Sequence, residues 1–318
     1  MSQRLTIPKR NAAEFATDLL EGALYGASRE FLSRPSKGLR ARLIEVCYAI
    51  AGGSGPLPSA AADMIELLHS GSLIVDDIQD GADLRRGGPA LHHVIGMPRA
   101  LNLGNWLYFV ALTRLDELPL DDARERALTR ATHRCLVDCH EGQSLDLALK
   151  VPDVDRAELP STVRLITQLK TAAPMGLAAR LGATVAGAAT GVIDTLVSFG
   201  EKVGFALQML DDLGSLVAAK SHHKGVEDLR NQRVSWVWAW ASEVLEPSAF
   251  QSMLAQLSDG SDLSQLRARL AAVVEPVGRE RVRSLLEQAE RELLSNFSPS
   301  LVLDLVRAEL LRLERSYG

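Results

Sequence analysis

The sequence predicts an all-α protein, one large helical domain over residues 1–318, and three observations carry that expectation. Apolar residues recur at helical spacing along most of the chain, and no stretch alternates convincingly as a strand would. Ala and Leu are abundant while aromatic residues make up only 5%, which favours helices over a β-sandwich or barrel. At 47% hydrophobic, the 318 residues hold enough apolar material for a large core and too much for intrinsic disorder. Length alone allows two domains at ~100–200 residues each. Ser258–Asp262 is the best candidate linker, but helical pattern resumes at Leu263 with unchanged composition, and no fixed-period repeat or low-complexity tract appears. One domain is therefore expected, with residues 1–20 set apart as a segment that could be flexible.

Taken in order, helical periodicity marks Leu39–Gly52, Ala60–Ile78, Ala100–Glu117, Asp121–Leu149, Leu159–Ala189, Ile193–Ala219 and Val234–Leu245. The breaks fall at punctuation: Gly52-Gly53-Ser54-Gly55-Pro56, Arg86-Gly87-Gly88-Pro89, Lys150–Pro152 and the polar run Lys220–Arg230. Net charge is −5 with no block of like charges, so no nucleic-acid partner is expected. Met1–Phe15 has no apolar signal core, no window reaches ~18 apolar residues, and Cys47, Cys135 and Cys139 are too few for a disulfide framework. A cytoplasmic protein with no membrane span is the expectation.

Two acidic clusters carry the chemistry. In Asp76-Asp77-Ile78-Gln79-Asp80, Asp76 and Asp80 fall one turn apart on one helix face, with Asp77 close behind. Carboxylates this crowded repel unless a cation sits among them. The run Leu67–Val75 before them is uncharged and mostly apolar, which separates this cluster from an ordinary solvated helix end and favours a hard, oxygen-loving ion such as Mg²⁺. Gln208-Met209-Leu210-Asp211-Asp212 closes a second apolar run in the same way. Lys37, Arg40, Arg85, Arg86, Lys170, Lys224 and Arg233 lie near these motifs in sequence. Singly each is an ordinary surface charge. With two acidic clusters they fit a metal-bound diphosphate substrate whose apolar remainder lies along the helices.

The ordered series Lys37-x-x-Arg40, Glu66-Leu67-Leu68-His69, Asp76–Asp80, Leu84-Arg85-Arg86-Gly87-x-Pro89, Gly142-Gln143-x-x-Asp146, Lys170-Thr171, Gln208-x-x-Asp211-Asp212 and Glu227-Asp228-Leu229 resembles the trans-prenyltransferases, or isoprenyl diphosphate synthases. The stretch Leu67–Phe109, with His92 and Gly96-Met97-Pro98, is most similar to geranylgeranyl diphosphate synthases. The resemblance implies a helical bundle of the isoprenoid-synthase type around a central apolar cavity, working as a homodimer. It implies that Asp76, Asp80 and Asp211 hold about three Mg²⁺ ions, with Asp77 and Asp212 supporting. Arg85, Lys170, Lys224 and Arg233 would bind the allylic diphosphate, and Lys37, Arg40, His69 and Arg86 isopentenyl diphosphate. Thr171 and Gln208 would face the reacting carbons. Gly71 and Ser72, one turn before the first motif, would leave the product tunnel open and so set chain length.

Departures from the family pattern count too. The second motif ends in Ser215 rather than a third acidic residue, Gln232-Arg233 stands for Gly-Lys, and Arg40-Ala41 for Arg-Pro. Ser215→Asp is expected to be neutral or mildly activating. His133, Cys135, Cys139 and His140 have the residue types of a zinc set. Helical geometry puts the histidines together and the cysteines on roughly the opposite side, so no tetrahedral site is expected. His222-His223 reads as solvated loop. Trp236 and Trp240 share a helix face that Trp238 cannot join. A farnesyl or longer-chain synthase, or a terpene cyclase on the same fold, are the competing functions. A cyclase has no need of the isopentenyl diphosphate residues.

Overall fold

The computed structural model describes residues 12–218, 222–260, 262–297, 303–304 and 306–310, with the side chains of 12–15 and 222–224 outside the description. Its elements in order are α1 (Ala12–Leu20), a π-helical turn (Glu21–Tyr25), α2 (Gly26–Ser33), α3 (Leu39–Ile50) and α4 (Ser59–Asp80). A two-residue hairpin, β1 (Leu84–Arg85) and β2 (Gly88–Pro89), leads to α5 (Leu91–Ile95), α6 (Met97–Thr113) and α7 (Asp122–Ala148). Then come α8 (Leu159–Thr167), a second π-helical turn (Gln168–Ala172), α9 (Ala173–Val185), α10 (Thr190–Val217), α11 (His222–Arg230), α12 (Trp236–Val244), α13 (Pro247–Asp259) and α14 (Leu263–Asn296).

Local chemistry explains the boundaries. The Asp121 side chain accepts from the N–H groups of Ala123 and Arg124 to start α7, and that of Asp262 accepts from Gln265 to start α14. Prolines stand in the first turns of α6, α8 and α13, where the missing N–H costs little. Gly81, left-handed at φ 65°, stops α4 directly after Asp80 by returning its N–H to the Asp77 carbonyl. One expectation needs correction. The polar run is not a loop: α11 occupies His222–Arg230, because Gly225 and Leu229, one turn apart, give it a buried face. The expected break at Arg86–Pro89 contains half of a hairpin, with Leu84 opposite Pro89 and Arg85 opposite Gly88.

Contacts divide the chain into two compact units. The first takes the described residues up to Ala41 with Pro58–Leu118; the second takes Arg42–Leu57 and the described residues from Pro119 onward. The division runs through α3, where no change of composition marks it, and Ser258–Asp262 lies inside the second unit. The first unit packs α4 and α6 on a core of Phe31, Ile74, Leu91, Ala100, Leu103 and Leu107. In the second, α10 is buried almost all round from Val203 to Leu216, as a helix packed on α9 and α14 must be. Trp236 and Trp240 pack 6.0 Å apart and Trp238 meets Phe250 edge-on, all buried as ordinary core. Among the described residues, no helix is long and apolar enough to cross a membrane.

Candidate active site

In the first unit, α4 carries the acidic motif at its C-terminal end. Asp76 and Asp80 are half-buried, whereas Asp77 is fully buried. The Arg85 guanidinium grips Asp77 Oδ1 through Nε at 2.7 Å and also through Nη2. Burial pushes the Asp77 carboxyl up, and the Arg85 pair partly offsets it. Arg85, expected on a substrate phosphate, is thus also Asp77's structural counter-ion.

Arg34, which the sequence reading did not single out, sets this segment in place. It donates to the carbonyls of Arg85 (3.2 Å) and Pro89 (2.8 Å) and is itself held by Glu30. Arg86, at φ 53°, reaches the Ser70 hydroxyl at 3.4 Å and lies over the Phe31 ring, as Arg34 also does. Burial holds His69 well below the usual imidazole range, reinforced by the charges of Arg40, Arg86 and Arg85. Arg40 and Arg86 are therefore gathered around a neutral His69. Lys37 is exposed just before α3.

His69 makes stability depend on pH with a definite sign. The unfolded chain takes up its proton near pH ~6.5 while the folded chain resists it. Its contribution is complete above that value and is lost as pH falls from there toward the lower folded pKa. His69→Gln is expected to lose less melting temperature than the native chain between pH 7.5 and 5.5. Parallel losses would assign the acid sensitivity to other groups.

Gly71 corrects an expectation. A Cβ there would stand 2.7 Å from the Gly104 carbonyl oxygen and 3.3 Å from Leu107 Cβ. Its missing side chain serves the close α4–α6 crossing rather than room in a tunnel. Ser72 is half-buried, and its hydroxyl is turned back to the His69 carbonyl at 2.9 Å.

In the second unit, the π-helical turn Gln168–Ala172 between α8 and α9 presents Lys170 and Thr171 to two neighbours. On α7, a Cβ at Gly142 would lie 2.8 Å from Leu169 Cβ and 3.0 Å from the Lys170 nitrogen. That close approach brings Asp146, one turn on, to Lys170 Nζ at 2.6 Å. On α10, a Cβ at Gly204 would lie 2.7 Å from Ala172 Cα, and one turn on the Gln208 Oε1 accepts from the Thr171 hydroxyl at 2.8 Å. Gln208 Nε2 donates to Asp212 Oδ1 at 2.7 Å, and the Trp236 main-chain N–H donates to Asp212 Oδ2 at 2.8 Å. Loss of solvation pushes the Asp212 carboxyl up to about 7, and the charge of Asp211 adds to this against those two hydrogen bonds.

Asp146 Oδ2 also accepts from Arg233 Nη1 at 3.1 Å, so one carboxylate ties together two expected phosphate-binding cations. The backbone assists: Arg233 bridges to Lys150, and the Val151 N–H donates to the Gln232 carbonyl at 3.0 Å. Asp146 stood in a quoted motif without a role; its spacing from Gly142 was the available signal. Ser215, in the place of the usual third acid, is buried with its hydroxyl on the Asp212 carbonyl, so an Asp there costs desolvation that the sequence alone did not reveal. Lys224's side chain lies outside the described residues, as do those of His222 and His223. His133 and His140 are exposed while Cys135 is buried, as their helical spacing predicts.

The donors suit magnesium in kind. Asp77 Oδ2 is a buried oxygen with no hydrogen-bond partner, next to two further carboxylates on the same helix end. Among the described residues, no three acidic, histidine or cysteine side chains stand together as a ready-made ion cage. Mg²⁺ binds through one or two carboxylates with phosphate and water completing its shell, so such a donor set fits it.

An almost wholly helical chain with carboxylates closing an uncharged run in α4 and in α10, Arg85 on the first cluster, and Lys170 and Arg233 joined at Asp146, has the isoprenoid-synthase class of fold. Its solved structures include geranylgeranyl pyrophosphate synthase from Corynebacterium glutamicum, complexed with isoprenyl diphosphate and magnesium. That structure matches with a TM-score of 0.81 at 23% identity, over 95% of this chain and 94% of that one. The polyprenyl synthetase family model matches residues 21–272, and the chain belongs to that family. Geranylgeranyl pyrophosphate synthase of Eremothecium gossypii is 30% identical over 208 residues, and the match spans 62% of each chain. A short chain isoprenyl diphosphate synthase of Methanothermobacter thermautotrophicus is 28% identical over 302 residues, 95% of this chain and 87% of that one.

Proposed function

We propose that the chain, acting as one catalytic domain, is a trans-prenyltransferase that joins isopentenyl diphosphate head-to-tail to an allylic diphosphate, with geranylgeranyl diphosphate (C20) as main product. The observation that carries this reading is the placing of Arg86, which reaches the Ser70 hydroxyl beside His69, with the charge of Arg40 acting on the same ring. A second diphosphate that is not cleaved needs such cations and no Lewis acid, and a terpene cyclase has no use for them. Lys37 belongs to the same subsite in this reading. Lys170, Arg233, Lys224 and the outer face of Arg85 bind the allylic diphosphate. Asp76, Asp80 and Asp211 hold about three Mg²⁺ ions, with Asp77 and Asp212 behind them, and the bound metal neutralises the departing diphosphate. Thr171 and Gln208 face the reacting carbons. Apolar walls exclude the water that would quench an allylic cation. The protein works as a homodimer, which light scattering would test.

Incubation with farnesyl diphosphate and Mg²⁺, with and without isopentenyl diphosphate, decides between the readings. A C20 diphosphate formed only with both substrates is expected; hydrocarbon from farnesyl diphosphate alone would make the protein a cyclase.

Chain length rests on Ser72, one turn (~5.4 Å) deeper than Asp76 and close to one isoprene unit away. Ser72→Phe is expected to fill that space and move the main product to C15 or shorter. Gly71 is no substitute site, since any side chain there meets the α6 backbone first. An active Ser72→Phe enzyme still making C20 would place the tunnel floor elsewhere, and longer products from the native chain would make it a longer-chain synthase.

A further inference from the structure

The polar chain that begins at Thr171 has a direction, and the direction is set by Asp212. Both Asp212 oxygens accept hydrogen bonds: Oδ2 from the Trp236 N–H, which can only donate, and Oδ1 from Gln208 Nε2. Because the Gln208 amide is planar, turning its NH₂ to Asp212 turns its oxygen to Thr171. That oxygen accepts the single hydroxyl proton of Thr171. The Thr171 oxygen then has only lone pairs to offer anything else that approaches it.

We propose that Asp212 is a positioning residue: its acceptor-only carboxylate orients the Gln208 amide and so keeps the Thr171 lone pairs facing the reacting carbons. The inference rests on the prenyltransferase reading, in which positive charge develops on the allylic carbons as diphosphate departs. Oxygen lone pairs aimed at that charge lower its energy without reorganising, whereas an O–H hydrogen aimed there raises it. Both Asp212 oxygens are engaged inside the protein, one by the Gln208 amide and one by the Trp236 main chain.

Asp212→Asn tests the direction at nearly constant shape. The Trp236 N–H keeps the Asn oxygen at its end, so the new NH₂ faces Gln208. The Gln208 amide turns over, its NH₂ meets Thr171, and the threonine proton swings outward. The turnover number is expected to fall about 10²-fold. The Kd of an unreactive thiolo analogue of the allylic diphosphate, measured by calorimetry at saturating Mg²⁺, stays within about twofold of native, since the diphosphate subsite is untouched.

Adding Gln208→Glu to Asp212→Asn moves the negative charge by one turn and restores an acceptor for Thr171. This double variant is expected to recover at least about a tenth of native turnover. Thr171→Val, which removes the oxygen alone, is expected to lose about as much as Asp212→Asn.

Native turnover in Asp212→Asn or Thr171→Val, a loss that excess Mg²⁺ restores, or a folded double variant no better than Asp212→Asn would each overturn the inference. Should Asp212→Asn fail to fold, Thr171→Val and the double variant still decide. A native chain with no prenyl transfer would instead refute the function on which the inference rests.

Discussion

Asp76→Ala, Asp80→Ala and Asp211→Ala should each lower turnover by about 10³-fold or more while the fold survives, because metal charge on the leaving group is what they would supply. Retention of the fold follows from where the first two stand. Both are half-buried in the last turns of α4, where the helix dipole is negative and further negative charge is unfavourable. Three carboxylates within five residues repel one another as well. Removing Asp76 or Asp80 relieves that repulsion and gives up its attraction to Arg85, so melting temperature should change little. Asp77 is the contrasting case: Asp77→Ala strips the buried counter-ion from Arg85 and should lower the melting temperature. Mg²⁺ titration of each variant beside the native chain, with an EDTA control, makes the measurement. Activity retained in EDTA would remove metal from the mechanism.

Gly204→Ala should damage both stability and turnover. Its Cβ would stand 2.7 Å from Ala172 Cα and 3.0 Å from the Thr171 carbonyl oxygen, where carbon contacts need ~3.5–4 Å. Both obstacles are backbone, so α10 and the π-helical turn must move apart. Alanine's better helix propensity returns about 1 kcal/mol, against about 1–3 kcal/mol for overpacking a tight contact. The separation also draws Gln208 away from Thr171, and turnover should fall at least about tenfold, since sub-ångström misplacement is costly. Gly191→Ala, in the first turn of the same helix, meets nothing within 4 Å and should leave turnover unchanged and melting temperature unchanged or slightly raised. If Gly204→Ala melts and turns over like the native chain, the clasp between α10 and the turn does not place these side chains.

The long helices were legible because their signal is local. A run such as Leu67–Val75 reads as buried helix from its own composition, and the one-turn spacing of Asp76 and Asp80 needs no partner to be seen. The short elements were not. Among the described side chains of α11 only Gly225 and Leu229 are buried, too few to show through a charged run, and β1 pairs with only two residues of β2. Arg34 carries no local mark of its function and Asp146 only its spacing from Gly142, since each acts on residues far along the chain: Arg85 and Pro89 for one, Lys170 and Arg233 for the other.

What the sequence determined by itself is therefore the all-helical class, the two acidic helix ends and the order of cationic motifs, all of which depend on spacing within a turn or two. The tertiary structure alone decided which carboxylates bond inward. Asp77 takes Arg85 and Asp212 takes Gln208 and Trp236. It also decided that His69 is neutral among arginines, and that Gly71 serves a helix crossing. A side chain's partner, its charge state and the space beside it are properties of the segments it meets, and those come together only when distant parts of the chain pack.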